Sequence, residues 1–413
     1  MCLVSNIIQA RCSLLIGLCS TVLLACGGGS GSGGSARVLN EREQALSCES
    51  PYEYAPPVDP EIGVNIASVE AKPVDAPLLI HMLSEMHCGG RAHGLNSVLI
   101  EVGGELVVEE YFPGFVSASN RTMLDYGVDT LHVQASVQKS FASALMGIAE
   151  QEGFIDTTSE TLYSLFPEYS DINWFEPYNI DGVDYQKADI TVEDFLLMSS
   201  GLEWDEGSIY YGHPANTLTQ MNESDDAIRF VFEQPLVNAP GAVFEYNTGL
   251  SDILKEVIQR KMGVSVSEYA QQTLFSDLSI DNFYWQKHLS LRPRDMLKLG
   301  ATYLNNGVFE GVQAVPEAWV DQSLASTLVL SPGERISGYG YQWWKSDFTI
   351  DGTIYQSNAA LGYGGQQIYI FEEFDTVVVF TAAEYAGQHG DARTTYSWLR
   401  DFILPALIEG AAP

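Results

Sequence analysis

Ala135-Ser136-Val137-Gln138-Lys139-Ser140-Phe141 decides how this 413-residue chain is read. It carries S-x-x-K at the start of a helical pattern over 136–152, with apolar positions at Phe141, Leu145 and Ile148. Residues three apart share one helix face, so the Ser136 hydroxyl and the Lys139 amine can meet. A helix N-terminus adds free N–H groups and a positive dipole end. Together these suit an oxygen nucleophile activated beside a lysine.

Two later stretches supply partners for that pair. Phe244-Glu245-Tyr246-Asn247-Thr248-Gly249 follows the turn signal Ala239-Pro240-Gly241. A phenol beside a lysine can be held partly as phenolate, which can take a proton from Ser136 and pass it to a leaving group. Leu361-Gly362-Tyr363-Gly364-Gly365-Gln366 precedes a strand pattern. Its glycines let a substrate approach the backbone, and an N–H there can face a developing oxyanion together with that of Ser136.

Around these stretches the chain organises itself. Residues 97–102 and 106–112 are β-rich and meet at Gly103-Gly104, a hairpin signal. Residues 366–371 and 376–381 repeat that pattern near the other end, and 338–344 read as another strand. Between lie some 220 residues of mainly helical pattern, including 252–262 and a capping-box start at Thr191-Val192-Glu193-Asp194. A last helix is expected at 394–403, ending before Pro405. The predicted fold is α/β (α+β). An antiparallel sheet flanked by helices is built from both chain ends (75–130 and 300–408), and a helical lobe (131–299) is inserted. A cleft between sheet and lobe is the expected site.

The three elements, in this order, resemble the serine β-lactamase and penicillin-binding-protein superfamily, in particular its class C-like branch. Leu196-Leu197-Met198-Ser199-Ser200-Gly201-Leu202-Glu203-Trp204, Arg292-Pro293-Arg294-Asp295-Met296 and Tyr339-Gly340-Tyr341-Gln342-Trp343-Trp344 extend the likeness from about Ser97 to Ala383. The Tyr-Asn-Thr-Gly and Gly-Tyr-Gly-Gly-Gln forms look most like 6-aminohexanoate-dimer hydrolases, with family VIII esterases close by. The resemblance implies that Ser136 is acylated, that Lys139 lowers the proton affinity of Tyr246, and that Tyr246 relays protons. It also implies an oxyanion hole from the N–H groups of Ser136 and Gln366, with Asn247, Tyr363, Gly364 and Gly365 as substrate-binding residues. The function expected is hydrolysis of small carboxylic esters or linear amides. The alternatives are a class C-like β-lactamase or D-alanyl-D-alanine carboxypeptidase, and a catalytically silent ligand-binding module.

The sequence departs from the family pattern in three ways. Thr248, not Asn, stands two residues after Tyr246, and Asn247 comes one early. Tyr363 takes the place where β-lactamases and DD-peptidases usually carry Lys or His, so the fixed cation that a substrate carboxylate wants is missing. The glycine-rich segment often found before Arg292-Pro293-Arg294-Asp295 is replaced by Lys287-His288-Leu289-Ser290.

The N-terminus reads as an address. Arg11 and an apolar stretch over 12–25 end in Leu23-Leu24-Ala25-Cys26, which resembles a bacterial lipobox. Residues 1–25 are expected to be a signal peptide and Cys26 to carry the lipid, a membrane anchor on the periplasmic or outer surface. Residues 27–35 are all Gly and Ser, a flexible tether, and 36–74 read as an extended lead-in. In an exported body Cys48 and Cys88 are expected to pair.

Composition excludes other classes. Twenty Lys and Arg against 54 Asp and Glu give a formal charge of −34, so phosphate backbones are repelled and no nucleic-acid partner is expected. A 46% apolar content can fill a core, which disorder cannot. No G-x-S-x-G elbow is present. His81, His87, Cys88 and His93 lack metal-ligand spacing, and neither metal nor cofactor is expected. His132 reads as structural. Trp204, Asp205 and Glu206 read equally as cleft lining or as a turn packed by Trp204. Tyr339, Tyr341, Trp343 and Trp344 read as core.

Overall fold

The computed structural model describes residues 52–58, 61, 63–88, 94–115, 122–325, 328–330, 335–384 and 394–411. Nine strands form the main sheet: β1 (Asn65–Ile66), β2 (Leu95–Val102), β3 (Glu105–Tyr111), β4 (Leu328–Val329), β5 (Ile336–Tyr339), β6 (Trp344–Ile350), β7 (Thr353–Gly362), β8 (Gln366–Phe371) and β9 (Thr376–Ala382). Their order is β1-β3-β2-β9-β8-β7-β6-β5-β4. All pairs are antiparallel except β1 with β3. The ends of the chain meet where β9 pairs β2, from Thr376 opposite Val102 to Ala382 opposite Leu95. Gly103 and Gly104 both have positive φ (57° and 70°), the backbone that a two-residue hairpin turn demands.

Both faces of the sheet centre are covered, so its strands are apolar at consecutive positions rather than alternating. On one face Leu99, Ile368, Ile370, Val377 and Val379 join the core of the helical lobe. On the other, Val98, Ile100, Tyr369, Phe371, Val378 and Phe380 meet Leu79, Met82 and Leu83 of α1 (Ala76–Cys88) and the C-terminal helices. The lobe contributes α2 (Gln138–Gln151) and α3 (Thr248–Met262), and α4 (Pro293–Leu304) lies on β9, β8 and β2. A Cβ on Gly300 would stand 2.6 Å from Val377 Cγ1, so glycine is what lets α4 lie this close to the sheet.

The helix that packs on the sheet, α4, starts at Pro293 and so straddles the division expected at about 299. Two expectations need correction. The lead-in is not merely extended: Asn65–Ile66 adds a parallel edge strand, and Glu61 pairs with Lys298 (2.9 Å) and Arg292 (3.3 Å). Pro405 does not end the C-terminal helix. Thr395–Trp398 continues through a wide π turn, Leu399–Ile403, into α5 (Leu404–Ala411). The π turn changes the hydrogen-bond frame just where proline lacks an N–H.

Cys88 ends α1 and is disulfide-bonded. Cys26, Cys48 and His93 lie outside the described residues. Among the described residues no helix is long and apolar enough to cross a membrane.

Candidate active site

Ser136 sits in a 3₁₀ turn, Ala135–Val137, that runs into α2. Ala135 is held at φ 46°, the left-handed region, so the residue before the serine is strained. The surroundings impose it. Gln134 N donates to Leu289 O (2.8 Å), Leu289 N donates to Gln138 Oε1 (3.1 Å), and His132–Val133 pairs with Leu291 and Ser290. Across the cleft, the turn packs on β7 and β8. A Cβ on Gly362 would lie 2.7 Å from Gln134 O.

Lys139 Nζ donates to Ser136 Oγ at 3.0 Å, and Tyr246 Oη lies 2.8 Å from the same oxygen. Lys139 is buried, while Ser136 and Tyr246 are half-buried. The Tyr246 ring is held between the Lys139 ammonium, 5.2 Å from its centroid, and the Trp344 indole, stacked at 5.4 Å. Its loop is anchored by Glu245 N donating to Met198 O (2.8 Å) and Gly241 N to Ser199 O (2.8 Å). The Leu-Met-Ser-Ser-Gly stretch thus carries the loop that carries the phenol.

Asn247 serves as a helix cap. It is 1% exposed and is the N-cap of α3, its Oδ1 accepting from Leu250 N at 3.2 Å. The signal was in the sequence, since Asn immediately before a helical pattern is a preferred cap. The position facing the lysine belongs to Thr248, whose Oγ1 accepts from Lys139 Nζ at 3.1 Å.

Thr248 leads to a buried carboxylate. Glu206 Oε1 accepts from Thr248 Oγ1 at 2.8 Å, and Glu206 Oε2 accepts from Thr248 N and Trp204 Nε1, both at 2.8 Å. Tyr211 Oη adds a longer bond to Oε1 at 3.4 Å. Of the two readings of Trp204-Asp205-Glu206, the tryptophan is a packed turn residue and Glu206 reaches toward the centre from behind. Sequence reasoning did not find this link, because 42 residues separate Glu206 from Thr248.

The glycine-rich stretch forms the β7–β8 turn, with Gly364 and Gly365 at φ 90° and 92°. Tyr363 is about half exposed, and its ring stands edge-on to Tyr211 at 5.3 Å. The Gln366 side chain is a clamp between strands, Nε2 donating to Ala382 O at 2.6 Å and Oε1 accepting from Ala382 N at 3.1 Å. Only its backbone is left for the cleft.

The surrounding field is uneven. Burial pushes Tyr211 up, with Glu206 adding to it, and Glu245 is raised by burial, Asp205 and Glu206. On the other side burial and the cations Lys287, Lys255 and Lys139 push His288 down. His132 is buried and is pushed down to about 4 by that burial, with Nε2 3.1 Å from Asn96 and Nδ1 3.2 Å from Val133 O. It is a neutral structural histidine. Tyr339, Tyr341 and Trp343 are core, while Trp344 packs against the site. His87 turns to Glu110 (3.0 Å) and His81 to Glu85 (3.3 Å). Among the described residues no three His, Cys, Asp or Glu side chains converge as a metal site would need.

Residues 89–400 match the beta-lactamase family model. Among solved structures, a candidate 6-aminohexanoate-dimer hydrolase from Bacillus anthracis superposes with TM-score 0.58 at 21% identity, covering 76% of this chain and 79% of that one. An octameric penicillin-binding protein homologue from Pyrococcus abyssi gives 0.56 at 17% identity, covering 78% and 76%. EstCE1, a hydrolase with promiscuous acyltransferase activity, gives 0.59 at 15% identity, covering 81% and 99%. No curated protein matches. The family model spans most of the chain and the fold agrees with it, so this protein belongs to the beta-lactamase family.

Proposed function

We propose that the chain is a serine hydrolase that forms an acyl-enzyme at Ser136 with small carboxylic esters or linear amides. One observation carries this: Ser136 Oγ lies within hydrogen-bond reach of both Tyr246 Oη (2.8 Å) and Lys139 Nζ (3.0 Å). In acylation Tyr246, as the phenolate beside the Lys139 ammonium, takes the Ser136 proton as Oγ bonds the carbonyl carbon. Lys139 stabilises the negative charge on the phenol, and the N–H groups of Ser136 and Gln366 hold the oxyanion. Tyr246 then protonates the leaving alcohol or amine, and the C–O or C–N bond breaks. Water repeats the sequence on the acyl ester and restores the serine.

The aromatic pair Tyr211 and Tyr363, with Glu206 and Glu245 near by, supports a neutral acyl group over a carboxylate-bearing one. The similar proteins described as a 6-aminohexanoate-dimer hydrolase and as a hydrolase with promiscuous acyltransferase activity are in keeping with acyl transfer to water. The test is labelling by a fluorophosphonate probe and turnover of a p-nitrophenyl short-chain ester, with Ser136→Ala as control. Absence of both label and turnover overturns the reading. Nitrocefin hydrolysis outpacing the ester would favour a β-lactamase.

From Leu23-Leu24-Ala25-Cys26 we also propose that the protein stands outside the cytoplasm, anchored through a lipid on Cys26, with Cys48 paired to Cys88. Mass spectrometry of the mature N-terminus tests it. An unlipidated chain retaining residues 1–25 contradicts it.

A further inference from the structure

Glu206 is 2% exposed, yet four donors converge on its two oxygens: Trp204 Nε1, Thr248 N, Thr248 Oγ1 and Tyr211 Oη. A carboxylate accepts all four; the two hydroxyls could also accept, but Thr248 Oγ1 already accepts from the Lys139 ammonium and so gives its proton to Glu206. The bond from Thr248 Oγ1 matters most. A threonine hydroxyl has one proton, and here it goes to Glu206. The oxygen therefore turns a lone pair toward Lys139 Nζ, 3.1 Å away.

We propose that Glu206 is a positioning residue of the acyl-transfer centre: by taking the Thr248 proton it fixes that oxygen as an acceptor and sets where the Lys139 ammonium stands relative to Ser136 and Tyr246. The inference rests on the acyl-enzyme reading above. Glu206 bonds to Thr248, while Ser136 Oγ bonds to Lys139 and Tyr246, so Glu206 acts through Thr248.

The geometry makes Glu206→Gln a sharp probe. Trp204 Nε1–H and Thr248 N–H are fixed donors at Oε2, so the amide oxygen must take that place. The amide NH₂ then falls at the Oε1 position, facing Thr248 Oγ1 and Tyr211 Oη. Thr248 has to accept from it, and its own proton swings toward the ammonium. The acceptor becomes a donor aimed at a cation. Thr248→Val removes the link without a charge change, and Thr248→Ser keeps it.

Charge gives a second readout. The titratable groups on which Glu206 acts are Tyr211, Tyr339 and Glu245, with Lys139 reached through Thr248. A nearby negative charge favours the protonated form of every neighbour, so its removal carries each limb of the pH–rate profile to lower pH.

The experiment measures fluorophosphonate labelling of Ser136 against pH in the full chain and in E206Q, T248V, T248S and E206Q/T248V. Labelling of the wild type at Ser136 is the precondition; its absence removes the acyl-enzyme reading itself. Given labelling, E206Q and T248V should each slow it about 10- to 100-fold, as small misplacements in catalytic sites do. T248S should stay near wild type. E206Q and the double variant, which both lose the charge, should carry the profile to lower pH, and T248V and T248S should not. The double variant should fall within about twofold of T248V, because one path is cut once. Wild-type rate and profile in E206Q, or fully additive losses, overturn the proposal. If E206Q does not fold, T248V and T248S decide: T248V at wild-type rate, or T248S as slow as T248V, overturns it, and a slow T248V rescued by serine upholds it.

Discussion

Trp344 stacks on Tyr246, ring centroids 5.4 Å apart and planes 24° apart. The indole belongs to β6 and the phenol to the loop before α3, so the contact spans the two lobes. Trp344→Ala should leave the phenol without its flat support and lower kcat for an ester about tenfold, whereas Tyr246→Phe should lower it about 10²- to 10⁴-fold. Steady-state kinetics on purified variants check both. A Tyr246→Phe enzyme of wild-type kcat would remove the phenol from the chemistry.

Gln342 should prove to be a stability residue. It is 2% exposed and at φ 62°. Its Nε2 donates to Leu196 O (2.7 Å) and Phe195 O (3.1 Å), its Oε1 accepts from Ser251 (2.8 Å), and its backbone carbonyl accepts from Ser140 (2.8 Å). Gln342→Leu leaves two carbonyls and one hydroxyl buried without this partner, an expected loss of about 2–4 kcal/mol. Urea unfolding measures it, and a midpoint equal to wild type would disprove it.

Asn247 should behave as a cap. Asn247→Ala is expected to cost about 1 kcal/mol and Asn247→Asp far less, because aspartate also caps. Thermal melts of the two variants separate them. If alanine and aspartate melt alike, the capping role is wrong.

Stability should also depend on pH through buried acids. Burial, with Asp375 beside it, pushes Glu101 up to about 7. A free glutamate titrates near about 4.3, so the folded chain holds an extra proton between these values. The contribution is full below about pH 4.3 and is lost as pH rises through about 7. Glu384, raised to about 7 mainly by burial, acts in the same direction. His132, lowered to about 4, acts oppositely: its contribution is present above about pH 6.5 and is lost as pH falls toward 4. Glu101→Gln should therefore narrow the fall in stability between about pH 5 and about pH 8, by up to about 2 kcal/mol. Chemical denaturation at the two pH values tests this, and an unchanged fall refutes it.

Much of the arrangement was legible because it is local. The S-x-x-K spacing needs only one turn of chain, and Gly103-Gly104 between two β-rich runs names its own turn. What escaped is non-local or unusual in register. The Thr248–Glu206 bond depends on how a loop folds back on a helix start. The β1 strand is two residues long and too short to show a period. Pro405 reads as a stop unless the preceding turn is known to widen. Asn247 stands directly before a helical pattern, so its capping role was legible locally.

The turn that carries Ser136 is braced by Leu289 and packs on strands that end only at Phe371. A ribosome must therefore release nearly the whole polypeptide before the turn at Ser136 can pack on all its partners. Prematurely terminated products would carry the serine yet lack its setting.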